Sequence, residues 1–168
     1  PLLATEKGPL GKKWMKDGSV YYYCLFTEEG AGGATLTAGD AVFSNLLIAA
    51  AGDYEINWFE AAGSVTISDM MGVFVGDGNT PDTIADTTIV DGAYGWVQTR
   101  GYSTGILMHN AGGAITLGCS LMGVSDTHYT VLDQARGTEA SYAKHIVSAV
   151  AYNTAAAALF AGFVRCWR

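Results

Sequence analysis

The stretch DGAYGWVQTRG, residues 91–101, decides what kind of fold this chain can adopt. Tyr94, Trp96, Gln98 and Arg100 recur at every second position between Gly92 and Gly101. That spacing predicts a strand with Tyr94, Trp96 and Gln98 on one face and Gly95, Val97 and Thr99 on the other. Large amphipathic rings opposite small residues suit close packing against a second sheet or a neighbouring chain. Trp96 is therefore expected to serve packing or assembly rather than chemistry.

The same period extends outward from this stretch. SVYYYCLF, following Asp17-Gly18, is a β-branched and aromatic run that ends at a Gly-rich turn. Its consecutive Tyr21, Tyr22 and Tyr23 must face both sides of a sheet, so one side needs a covering layer or subunit. GATLTAGDAVFS places Ala-Gly-Asp at a turn before a short apolar strand. In DYEINWFEAAGSVTISDMMGVFVGDG, Tyr54, Ile56 and Trp58 alternate with Glu55, Asn57 and Phe59. Strand-sized runs return in GILMHN, GAITLGCSLMGV, KHIVSAVAY and LFAGFVRCWR, and the 22 glycines and 3 prolines fit many turns rather than a helical bundle.

The expectation is an all-β chain: a compact β-barrel or β-sandwich-like domain of many short strands. Two short helices are weighed beside it, one in SNLLIAAAGD from a Ser44 or Asn45 cap to Gly52, the other in NTAAAALFAG from Asn153 to Gly162. A faint echo between GATLTAGDAV, 33–42, and GAITLGCSL, 113–121, suggests two similar β units rather than a solenoid.

Composition narrows the function. With 168 residues, 49% hydrophobic and only 15% charged, the chain is large enough for one real core and apolar enough to bury surface against partners. The net charge of −7 is unevenly spread: Gly18 to Thr99 holds eleven Asp or Glu and no Lys or Arg. That acidic middle argues against nucleic acid, whose phosphates need a dense basic footprint. No uninterrupted apolar run reaches the roughly 18 residues of a membrane span, and the first residues lack a signal-peptide core. Residues 1–17 carry Lys7, Lys12, Lys13 and Lys16 against Glu6 and Asp17, and are expected to form a basic arm preceding a single domain over 18–168.

Sites for chemistry are sparse. Cys24, Cys119 and Cys166 show neither CxxC nor His/Cys spacing, so they read as buried thiols of a reducing cytoplasm rather than disulfides or zinc ligands. Asp126 and His128 would share a strand face but lack a third convergent group, and His109 and His145 share no spacing with them. GDGNTPD, 76–82, is faintly like a calcium loop, but Pro81 and Asp82 stand where a ligand and a glycine are required; a turn using Gly and Asn at positive φ accounts for it better. No GxSxG elbow or phosphate loop occurs. The expectation is a non-enzyme with no catalytic residue, cofactor or metal.

Taken in order, KDGSVYYY, GGATLTAGDAV, TTIVDGAYGWVQTRG, GGAITLGCSL and FAGFVRCW resemble the small virion proteins of tailed phages known as head decoration or capsid-stabilising (cement) proteins. The likeness runs over most of the chain from Lys16 on. NLLIAAAGDYEINWFEAAG departs from it as an insertion, and the Lys-rich arm has no counterpart. The resemblance implies a β-rich protein, a homotrimer in many members, made in the host cytoplasm and seated on the capsid surface. Its partner would be the major capsid protein, whose subunits it would hold together. On that reading Lys12, Lys13, Trp14 and Lys16 would lash across a coat subunit with Trp14 as anchor, and Tyr22 and Trp96 would join the partner contacts. Two other classes compete. One is a glycan- or receptor-binding module of a head fibre or tail, using pairs such as Asn57 with Trp58 or Asp126 with Tyr129. The other is a hydrolase built on Asp126 and His128.

Overall fold

The computed structural model describes residues 8–27, 35–44, 54–57, 70–107, 120–123, 132–134, 147–149 and 159–166. Within them the chain is all-β, with no helix. The strands in order are β1 (Lys13–Lys16), β2 (Ser19–Phe26), β3 (Thr35–Thr37), β4 (Ala41–Ser44), β5 (Glu55–Asn57), β6 (Met70–Gly78), β7 (Ile84–Asp86), β8 (Thr88–Val90), β9 (Tyr94–Leu107), β10 (Ser120–Gly123), β11 (Leu132–Gln134), β12 (Val147–Ala149) and β13 (Leu159–Arg165).

The main sheet runs β1-β2-β5-β4-β6-β9-β13-β12-β10-β11, and β2 also pairs with β9. The pairings β2–β5, β5–β4, β4–β6, β6–β9 and β9–β2 therefore return on themselves as a circuit of five strands. All are antiparallel except β2–β5, and β5 joins its two neighbours through two residue pairs each. From these strands Cys24, Phe26, Val42, Ile56, Met71, Phe74 and Val97 form a buried cluster. The separate ribbon of β3 and β8 adds Leu36 and Ile89, which oppose one another in register.

Local chemistry explains the connections. Asp17 and Gly18 both take positive φ, 50° and 79°, as a two-residue type I′ hairpin requires, and they join β1 to β2 with Lys16 opposite Ser19. The segment expected to be an arm is thus, over Lys13–Lys16, an edge strand; the expected boundary at residue 17 falls in the hairpin turn, and residues 1–7 lie outside those described. The Ala-Gly-Asp turn forms as expected: Asp40 N–H donates to Thr37 O, and Thr37 N–H donates to Asp40 Oδ2 at 2.6 Å. GDGNTPD is a hairpin between β6 and β7, but its turn is closed by Thr83 N–H donating to Thr80 O around Pro81-Asp82. In that stretch Gly76, not Asn79, adopts positive φ, because Gly76 sits at the bulge where β6 shifts register on β9.

The second helix candidate is overturned where it can be seen. Leu159–Arg165 is strand, pairing antiparallel with the outer half of β9. Over residues 159–162 ladder bonds to β9 override the local helix propensity. Residues 45–53 and 153–158 lie outside those described.

Gly95 stands opposite Cys24, and a Cβ there would enter the Phe74 ring and approach the Gly76 carbonyl. Overpacking of this kind costs about 1–3 kcal/mol. Gly95→Ala should lower the denaturant midpoint accordingly with an unchanged m-value in urea unfolding, whereas Gly105→Ala, where an added Cβ meets open space, should leave it nearly in place.

Candidate functional site

The inner half of β9 is buried on both faces, from Gly95 to Thr99. Val97 points into the core, and Trp96, beside it in sequence, points the other way. Trp96 is nevertheless only 1% exposed, packed among aromatic side chains that share its outward face. Tyr23 lies opposite it in register with ring centroids 5.1 Å apart, and Tyr23 stacks on Tyr94 at 5.8 Å. Trp14, brought over by β1, meets Trp96 edge-on at 6.5 Å. Lys12 Nζ sits 5.9 Å from the Trp96 ring centre, within reach of a cation–π attraction. Trp96 Nε1–H donates to Gly78 O at 2.9 Å.

This arrangement answers part of the requirement raised by the three tyrosines: on their outward face Tyr23 packs against Trp96 and Tyr94, while Tyr21, opposite Trp14 on the edge strand β1, stays partly exposed. It also places the residues expected to contact a partner. Lys12, Trp14 and Trp96 come together, but in an intramolecular cluster. Tyr22 lies against the core, stacked on Tyr54 at 5.6 Å. Lys13 and Lys16 remain exposed along β1. Lys16 pairs with Asp82 at 3.0 Å, tying the β1–β2 hairpin to the β6–β7 turn. That hydrogen bond, and then the Asp82 charge, hold the ammonium above its ordinary pKa. A pair so exposed is screened by water and contributes little to stability.

A cleft of about 280 Å³ opens beside the aromatic layer. Tyr21 and Gln98 form its floor as cross-strand partners; the Ala38-Gly39 turn, Phe74 and Val75, and Tyr102 to Gly105 of outer β9 wall it. Gln98 is itself only 2% exposed. Its Nε2 donates to Tyr102 O at 2.9 Å, Arg100 O at 3.3 Å and Ser19 Oγ at 3.4 Å, fixing β9 where Gly101 turns at φ 107°. Sequence reasoning placed Gln98 beside Trp96 but not this cleft, whose walls come from separated strands.

Outer β9 and β13 carry a second exposed feature. Tyr102 and Phe163 are directly opposed in register, edge to face at 5.6 Å, and are 50% and 42% exposed. Met15 on β1 is 66% exposed.

Asp126, His128 and Tyr129, the other histidines His109 and His145, Cys119 and Trp58 lie outside the described residues, as does the side chain of Asn57. Among the described residues no group of three His, Cys, Asp or Glu could hold a metal ion, and no helix is long and apolar enough to cross a membrane. No family model, no curated protein and no solved structure matches the chain.

Three outcomes follow from the aromatic cluster and the thiols. Trp96→Phe removes both the bond to Gly78 and ring volume, and should cost about 2–4 kcal/mol in thermal or urea unfolding. Trp14 Nε1 is buried with no hydrogen-bond partner, so Trp14→Phe relieves an unsatisfied donor and should change stability by less than about 1 kcal/mol. Cys24 and Cys166 are buried free thiols, and burial pushes the Cys166 thiol well above its ordinary pKa, which keeps it protonated. Mass spectrometry after iodoacetamide treatment at neutral pH should find both unmodified in the native protein and modified in urea.

Proposed function

We propose that this chain is a non-enzymatic structural protein of a phage virion. It binds the outside of the capsid as an oligomer, a trimer in the simplest case, and stabilises contacts between coat subunits. The observation that carries the reading is the exposed Tyr102–Phe163 pair on the ladder of outer β9 and β13. Such rings contribute most when a partner seals them from water. The motif order described above supports the phage assignment, and the net charge of −7 speaks against nucleic acid as the partner.

The mechanism would be burial of modest apolar areas at many equivalent junctions. Each contact is weak, and symmetry multiplies them over the shell. Lys13, Met15 and Lys16 on the exposed edge of β1 would form the periphery of the contact, with Trp14 holding that edge in place from beneath. The role first expected for Trp14 as an anchor in the partner thus becomes that of a support within the chain.

The test uses the full chain and empty heads assembled from the coat protein encoded alongside it. The native protein should run as an oligomer in light scattering and co-sediment with the heads, and the double variant Tyr102→Ser/Phe163→Ser should lose at least one of the two while keeping its melting temperature within a few degrees. A native protein that is monomeric and stays in the supernatant overturns the reading.

A further inference from the structure

We propose that the cleft on Tyr21 and Gln98 is a binding site for a single uncharged sugar ring. Its chemistry can be read from what lines it. None of its lining residues, from Tyr21 through Gly105, carries a charge, so an ionised ligand finds no opposite charge among them. Every hydrogen bond of the Gln98 side chain among the described residues leaves from Nε2, so Oε1, which is not sealed from solvent, is left to accept from water or from a ligand. A ligand hydroxyl can take the place of that water as donor.

The remaining polar groups of the wall are the hydroxyls of Tyr21, Ser103 and Thr104, each able to donate or accept. Ser103 Oγ already accepts from Gly105 N–H at 3.3 Å and keeps its own proton to give. Among the described residues the Tyr21 ring has no stacked or edge-on ring partner, unlike Tyr22, Tyr23, Tyr94 and Tyr102. It offers a partly buried aromatic face next to an acceptor and two hydroxyls. A nucleobase would need a donor and an acceptor together from one amide, and the Gln98 donors are already engaged. A pyranose ring offers what the site lacks: hydroxyl donors for Oε1 and an apolar C–H face for Tyr21. The volume, about 280 Å³, lies just below the usual range of ligand pockets, roughly 300–1,000 Å³, and suits one ring or a chain terminus rather than an extended oligosaccharide.

This inference goes beyond the capsid reading and does not rest on it, and its variants leave Tyr102 and Phe163 intact. The probes are the methyl α- and β-glycosides of glucose, galactose, mannose, rhamnose and N-acetylglucosamine, with sialic acid as the charged member. Saturation-transfer NMR and titration on the full chain should find at least one neutral glycoside that binds in the millimolar range. Tyr21→Ala should weaken it about tenfold, the loss of one aromatic contact, and Thr104→Trp, which plugs the cleft from an exposed position, should abolish binding with the melting temperature retained. No response to any glycoside overturns the proposal. So does binding of sialic acid alone, or binding that survives Thr104→Trp.

Discussion

The structure depends on one strand segment having no solvent side. From Gly95 to Thr99, β9 is closed by the core on one face and by an aromatic layer on the other. A five-strand circuit can bury only what points inward; the outward side chains of its central strand must find another cover or remain wet. Here Trp96 is the outward residue, and its cover is built from Tyr23, Trp14 and Lys12. The indole bond to Gly78 extends that cover to the end of β6. Glycines make the arrangement possible: Gly95 leaves the room that the Phe74 ring occupies, and Gly101 takes up the positive φ of β9 beyond Thr99.

Past Gly101 the same strand becomes a different object. Its outer half pairs with β13 and alternates between partly buried and exposed positions. The change of direction creates both surface features of interest. Tyr102 to Gly105 wall the cleft over Tyr21 and Gln98, and Tyr102 also meets Phe163 on the exposed ladder. Gln98 links the two halves, since its amide holds the carbonyls of Arg100 and Tyr102 across the bend. A packing strand and a presenting strand are thus one continuous element, and the rigidity of the first positions the second.

Strand identity was legible in β9 and β5 from period two and in β2 from β-branched and aromatic composition, and the Thr37–Asp40 turn could be read from Gly39 and Asp40 alone. The β1 strand was hidden by its lysines, which suggested a solvated arm. The signal that could have revealed it was Asp17-Gly18 between KWMK and SVYY, the two-residue hairpin signature with strand-length runs on both sides. The alanine-rich 153–162 segment misled in the opposite direction: local propensity favoured helix, and its last residues are strand because β9 supplies a ladder partner. The cleft had no sequence signal, since Tyr21, Gly39, Val75 and Ser103 become neighbours only through pairings of distant strands.

What the amino-acid order determined by itself was local: alternation makes strands, Asp-Gly and Ala-Gly-Asp make turns, and a tryptophan amid small residues must be buried. These follow from steric preferences and apolar area, which act over a few residues. Tertiary structure alone decided what buries Trp96 and what remains exposed. Covering a strand face requires a partner from elsewhere in the chain, and a periodic pattern states that a face needs cover without stating whose side chains provide it.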